Sequence, residues 1–176
     1  MKALQLFRTR GYDAVTVAEI AAGVGVSRRS FFRYFPTKED LVFDWLTEQG
    51  EFVVRILRER PSTETAWKAM SATFLQLASY HDANAALTRL RTRLIFDTPS
   101  LSARYHQEHA RWEEAFVSTL LLRRQASARE VFELRVQVAS AITAFVAAIR
   151  GWAAAAAGGS LRPWVAAAFT AVSRTR

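Results

Sequence analysis

The sequence predicts an all-α protein of about nine helices. A three-helix unit is expected over residues 1–45 and a larger helical body over residues 46–176. Three observations carry that expectation. No stretch sustains the period-2 alternation of a half-buried strand, whereas apolar residues recur at helical spacing along most of the chain. Gly and Pro fall at plausible boundaries of those stripes. Two stripes open on a reciprocal capping pair spaced three apart, Thr16 with Glu19 and Ser127 with Glu130.

The elements follow in order. A short first helix ends before Gly11, and Thr16 and Glu19 start a second with Val17, Ile20 and Ala21 on its apolar face. Gly23 and Gly25 mark a sharp turn, with Val26 expected to be buried inside it and Ser27 placed to cap the next helix. In that third helix Phe31 and Phe35 fall four apart and face inward, leaving Arg28, Arg29, Ser30 and Arg33 outside. Pro36 ends it. Thr37 then caps a long helix running to Arg60, with Glu39 and Asp40 in its first turn, where the helix dipole favours acids. Ser62 is expected to cap a helix through Trp67, Met70, Phe74 and Leu77, followed by one through Leu87 to Ile95. Thr98 and Pro99 open a helix through Trp112 and Phe116. The longest stripe runs from Val131 through Leu134, Val138, Ile142, Phe145 and Ile149 to Trp152. Gly158 and Gly159 break it, and Ser160 starts a last helix through Trp164 and Phe169.

Two short helices around a glycine turn, the second basic and aromatic, are the grammar of a helix-turn-helix that lays its second helix in the DNA major groove. The run Ala3-Leu4-x-Leu6-Phe7, Gly11-Tyr12, Thr16-Val17-x-x-Ile20-Ala21, Gly25-Val26-Ser27 and Phe31-Phe32-x-Tyr34-Phe35-x-x-Lys38-Glu39-x-Leu41 resembles the DNA-binding domain of the TetR/AcrR family of bacterial regulators. The resemblance implies a homodimer that represses from a palindromic operator. It departs from the family pattern at Val24, Ser30 and Phe32, the last lacking the tyrosine hydroxyl often set on a phosphate. Expected DNA contacts are Thr16, Tyr34 and Lys38 on phosphates, and Arg28, Arg29 and Ser30 on base edges. Arg33 is expected on either, and Ser27 at the cap of the reading helix.

Charge supports a local rather than a global footprint. The net charge is +8, yet residues 1–50 hold seven Lys/Arg against six Asp/Glu. Their positive charge is concentrated in Arg28, Arg29, Arg33 and Lys38, a stretch without an acid. The absence of cysteine excludes a disulfide framework, a thiolate metal site and a cysteine nucleophile. The most apolar run, Val136 to Ile149 between two arginines, is 14 residues, shorter than a bilayer span. A cytoplasmic location away from membranes is therefore expected.

The body is expected to hold a small-molecule effector and the dimer interface. Candidate ligand residues are the apolar and aromatic Trp67, Met70, Phe74, Phe96, Tyr105, Trp112 and Phe116, with His109, Arg93 and Arg104. Arg93-Leu94-Ile95-x-x-Thr98-Pro99-x-Leu101-x-Ala103-Arg104, followed by Arg111-Trp112-Glu113, resembles the mycofactocin-system regulator subgroup. That resemblance implies a fatty acyl-CoA effector, whose phosphates Arg89, Arg93 or Arg104 would meet. For the dimer, Ala139, Ala144, Ala148 and Ala153 to Ala157 offer close approach, while Ile142, Phe145, Ile149, Trp152, Trp164 and Phe169 offer apolar area.

Two rival classes remain at this level. His106, His109 and Glu113 share one helix face at a spacing that suits a metal, but no second cluster matches it, so neither a metal, a cofactor nor catalysis is expected. A helical module binding nucleic acid or anionic surfaces without sequence preference is the other.

Overall fold

The computed structural model describes residues 2–122, 126–156 and 158–174; Ala157, one of the small residues expected at the interface, lies outside them. Nine helices and no strand occur among the described residues. The first three, α1 (Lys2–Arg10), α2 (Val17–Val24) and α3 (Arg28–Tyr34), form the head. Leu4, Phe7, Val15, Ile20, Ala21 and Phe31 are its buried centre. Helix α4 (Asp40–Glu59) leaves the head and packs on α5 (Ala66–Asp82) and α7 (Pro99–Leu121). Helix α6 (Ala85–Asp97) touches both α1 and the body, α8 (Ala128–Ala154) packs against α5, α6 and α7, and α9 (Arg162–Arg174) closes on α5 and α8.

The caps explain most boundaries. Both reciprocal capping boxes form, at Thr16 with Glu19 and at Ser127 with Glu130. Gly25 ends α2 at φ +75°, giving its N–H to Ala22 O at 3.1 Å while Val26 N–H reaches Ala21 O at 3.0 Å. That paired bonding is a Schellman stop, which needs the left-handed residue that Gly supplies without strain. Three expectations are corrected here. Gly23 lies inside α2, and Gly50 and Gly151 lie inside α4 and α8, so these three glycines are not boundaries. Val26 is 43 % exposed, because the Schellman stop aims it away from the head's centre. The cap of α5 is Thr65, whose hydroxyl accepts from Lys68 N–H at 3.3 Å, and not Ser62.

The glycine inside α4 has a packing reason. A Cβ at Gly50 would stand 2.7 Å from the Trp112 Nε1 of α7, so the missing side chain is what lets the two helices meet. Gly50→Ala gains ~1 kcal/mol of helix propensity but overpacks a buried indole, at ~1–3 kcal/mol, and the clash outweighs the gain. The expected result is a lowered thermal midpoint; an unchanged or raised one would show that α4 and α7 are not held this closely.

The body core is aromatic. Phe74 stacks on Phe145 at 4.7 Å between centroids and meets Phe116 and Phe169 at 6.0 and 5.9 Å. Helix α8, at 27 residues, is long and apolar enough to cross a membrane, longer than its 14-residue apolar run suggested. Its stripe of Leu134, Val138, Ile142, Phe145, Ile149 and Trp152 is buried, and α5, α6, α7 and α9 pack around the helix.

Candidate nucleic-acid face and its link to the body

Helix α3 is short and presents its polar side outward. Ser27 caps it, its Oγ accepting from Ser30 N–H at 3.1 Å and lying 3.0 Å from Ser30 Oγ. Arg28 and Arg29 follow at once, both exposed, with no hydrogen bond or ion pair among the described residues. At the far end Arg33 lies 5.0 Å over the Tyr34 ring and donates to its hydroxyl at 3.3 Å, and Tyr34 is 70 % exposed. Phe31 anchors the helix, tilted against Phe35 at 5.4 Å. The result is a row of three guanidiniums and one phenol standing off a fixed apolar base.

Thr16 sits at the exposed N-terminus of α2, its hydroxyl donating to Glu19 Oε2 at 2.8 Å. Glu19 also accepts from Arg10 at 2.7 Å. The Thr16 N–H, then Arg10 and the Thr16 hydroxyl, hold its carboxyl down at about 2. Lys38 is used differently from its neighbours. Its Nζ donates to Tyr12 O at 2.9 Å and Val15 O at 3.2 Å and lies 4.1 Å over the Tyr12 ring. Its charge therefore clamps the loop between α1 and α2 as well as standing beside α3.

Residues 37–40 form a junction whose wiring was only half visible beforehand. Thr37 N–H and Oγ1 both donate to Asp40 Oδ2 at 2.7 Å, and Asp40 N–H returns to Thr37 Oγ1 at 3.2 Å. Helix α4 proper thus begins at Asp40 with Glu39 in the N-cap position, and Thr37, expected as the cap, lies in the turn before it and accepts from Asp40 N–H. The other Asp40 oxygen accepts from Arg104 of α7 at 2.6 Å, and that guanidinium lies 5.0 Å over Phe43. Burial works against the Asp40 charge, but Thr37 and Arg104 outweigh it and hold the carboxyl below its ordinary value. Beside it Tyr12 donates to Glu39 at 2.6 Å; burial first, then this carboxylate, pushes the phenol well above its usual range. Nothing local in the sequence marks Arg104 as the partner of Asp40, since 64 residues separate them.

The expected effector residues fall into two groups. Met70, Phe74, Tyr105, His109, Trp112 and Phe116 are all buried, and the rings pack on one another: Tyr105 on His109 at 4.2 Å, His109 on Trp112 at 4.9 Å. Phe96 meets Tyr105 edge-on at 5.3 Å, at the margin of this set. Trp67 stands apart, tilted against Phe169 at 5.0 Å with its indole N–H on Ser173 at 2.8 Å. The arginines assigned to phosphates are engaged with protein groups. Arg93 donates to Ala153 O at 2.6 Å, Arg89 to the carbonyls of Trp152, Ala155 and Gly158, and Arg104 to Asp40. His109 gives its Nδ1 proton to Tyr105 O at 2.8 Å, and its buried Nε2 has no partner among the described residues. Among those residues no three His, Cys, Asp or Glu side chains are grouped to hold a metal.

The residues expected at the dimer interface divide by exposure. Ala144, Ala148, Ala153, Ile142, Phe145, Ile149, Trp152 and Phe169 are buried against this chain's own helices. Helical periodicity located a buried face correctly, and the rest of this chain covers that face. Ala139 is half-buried and Trp164 is 42 % exposed. The open face of α8 instead carries Phe132, Val136, Thr143 and Ala147, with Trp164 and Ala167 of α9 exposed as well.

Comparison with known proteins agrees with this geometry. Residues 2–44 match the model for bacterial regulatory proteins of the tetR family, and residues 64–176 match the model for the MftR C-terminal domain. The chain is 30% identical to the HTH-type transcriptional regulator TcmR of Streptomyces glaucescens over 144 residues, 78% of this chain and 64% of that protein. It is 30% identical to the nucleoid occlusion factor SlmA of Pasteurella multocida over 122 residues, 68% of this chain and 61% of that protein. The matches thus span under two thirds of these relatives' lengths. Its fold is similar to the crystal structure of the TetR family transcriptional regulator PfmR from Thermus thermophilus, at TM-score 0.55 and 17% identity, covering 98% of this chain and 94% of that one.

A three-helix head of this kind, joined to an all-helical body, is the architecture of a helix-turn-helix regulatory protein. The chain belongs to the TetR family of bacterial regulatory proteins, with a body of the MftR C-terminal type.

Proposed function

We propose that the chain is a homodimeric, sequence-specific DNA-binding regulator that represses from a palindromic operator and releases it when a small hydrophobic or acyl-type effector occupies the body. The observation that carries this reading is the pair Arg28 and Arg29, exposed and without protein partners at the start of α3. Guanidiniums left free of protein partners on a rigid helix can give bidentate bonds to guanine edges. In this reading Arg28, Arg29 and Ser30 face bases, Thr16 and Tyr34 face phosphates, and Arg33 serves either. Lys38 holds the α1–α2 loop in place and adds its charge. The second copy docks on the open face of α8 and α9, through Phe132, Val136, Ala139, Thr143, Ala147 and Trp164. Two-fold symmetry then sets the recognition helices about one DNA turn, ~34 Å, apart or somewhat more.

Release requires that the effector favour one of two arrangements of the dimer. The Arg104–Asp40 bond ties α7 to the first turn of α4, so a ligand that reorders α7 acts on the head through it. A hydrophobic molecule enters only by displacing rings that now fill the core. An acyl-CoA must also free Arg93 or Arg104 from its present acceptor, which makes an uncharged or singly charged hydrophobic effector the better fit.

The test is binding of a labelled operator duplex in the presence of excess random DNA. Arg28→Ala and Arg29→Ala should each cost about 1–3 kcal/mol and relax preference at one base. Equal loss on every sequence would place the residue on the backbone, and displacement of operator by an equal mass of random DNA would overturn the reading.

A further inference from the structure

A cleft of about 330 Å³ opens beside the recognition helix, walled by Leu4 of α1, Ile20 and Val24 of α2, Phe31 and Tyr34 of α3, and Leu41 of α4. The walls are mainly apolar, with Arg91 of α6, Asp44 of α4, Lys2 of α1 and Ser30 of α3 as the charged and hydroxyl side chains that reach in. Arg91 is anomalous. Its Nε is buried without a hydrogen-bond partner, and its guanidinium, 4.7 Å over the Trp45 ring, makes no hydrogen bond or ion pair among the described residues. Asp44 is close enough to favour the charge but forms no direct pair with it. A guanidinium taken partly out of water needs acceptors in its plane, and an aromatic face supplies none.

The missing group can be defined by its chemistry. Two coplanar oxygens would satisfy the guanidinium fork, which is the geometry of a carboxylate. Apolar walls require an apolar remainder. A phosphate or other polyanion fits poorly, because the walls are mainly apolar and Asp44 would repel a second negative charge, while Lys2, which donates to Gly23 O at 3.3 Å, adds one positive charge at the rim. We propose that this cleft binds a small hydrophobic monocarboxylate, its carboxylate on Arg91 and its apolar body against the head. Such a ligand touches Phe31 and Tyr34 of α3 while held by a body helix, so it bridges head and body directly. The site is distinct from the effector position in the body and does not depend on it.

Calorimetric titration of the free protein with octanoate tests this, with octan-1-ol as the uncharged control of equal chain length. Octanoate should bind about tenfold or more tightly than the alcohol, the ratio expected of a charge-assisted bond. Arg91→Gln should abolish that preference while leaving octanol binding unchanged. Asp44→Asn, at an exposed position, should tighten octanoate binding, and this arm decides the matter even if Arg91→Gln does not fold. No octanoate binding, equal affinity for acid and alcohol, or an Asp44→Asn effect that is nil or adverse would each overturn the proposal. No DNA enters the assay, so its failure leaves the DNA-binding reading intact.

Discussion

Stability of this protein should fall steeply between pH 6.5 and pH 4, and two buried histidines should cause the fall. His81 of α5 lies between α4 and α6, its Nε2 2.9 Å from the Gln49 amide nitrogen and its Nδ1 3.4 Å from the Thr88 hydroxyl. With the amide donating, the ring is neutral and carries its proton on Nδ1. Burial, assisted by the charge of Arg91, pushes His81 down to about 4. Burial likewise pushes His109 down to about 4, against the opposing pull of the Tyr105 carbonyl. Both groups therefore bind protons more readily in the unfolded chain, where the ordinary value is near 6.5. Their stabilising contribution is complete above pH 6.5 and is lost progressively as pH falls towards 4. Each shift is worth ~3 kcal/mol, so together they remove ~6 kcal/mol, comparable with the whole stability of a typical domain. Urea unfolding at a series of pH values should give a slope approaching ~2.7 kcal/mol per pH unit near pH 5. Flat stability from pH 7 to pH 4.5 would show that these rings are accessible to water. Glu19 acts in the same sense but at lower pH, its contribution being complete above the ordinary value of 4.5 and lost as pH falls towards about 2.

Arg89→Ala should be the most damaging single substitution of a charged residue. The Arg89 guanidinium, 8% exposed, lies 3.9 Å over the Trp152 ring and donates to the carbonyls of Trp152, Ala155 and Gly158. These groups end α8 and begin the turn to α9, where backbone acceptors lack helical donors. Removing the side chain orphans the Trp152 and Gly158 carbonyls, leaves Ala155 O only its bond from Arg93 at 3.3 Å, and leaves a void against a fully buried indole. Each buried orphan costs ~1–3 kcal/mol, and because Gly158 is exposed and Ala155 half-exposed the sum is about 3 kcal/mol. For a chain of this size that is a fall of ~6–12 °C in thermal midpoint. Arg89→Lys should lie between, keeping the charge and losing the fork. A midpoint within two degrees of the parent, on the order of experimental scatter for surface changes, would show that water replaces the arginine at no cost.

The sequence spoke most clearly where a signal is local. Capping at Thr16, Ser27 and Ser127, the stop at Gly25 and the proline opening α7 are each decided within a few residues, and each is found in the structure. Ser62 and Thr65 both precede the same stripe, and a shift of three residues moves the cap without changing the periodicity, so the stripe alone does not point to Thr65. What the sequence could not tell was the partner of each face or charge. The α8 stripe reads the same whether a second copy or α5 and α9 cover it. Arg89, Arg93, Arg104 and Lys38 read as free cations, and their acceptors lie tens of residues away in sequence. Arg28 and Arg29 show the reverse: a charged pair beside a cap, left free of protein partners, as the motif alone suggested.

The central claim is that two copies of α3 read a specific palindrome, and selection from random duplex DNA with the purified protein tests it most directly. The expected outcome is enrichment of one inverted repeat whose half-sites are centred about one helical turn apart or somewhat more. Enrichment of no sequence, with binding that only weakens as salt rises, would contradict it and leave general attraction to a charged polymer as the protein's hold on DNA.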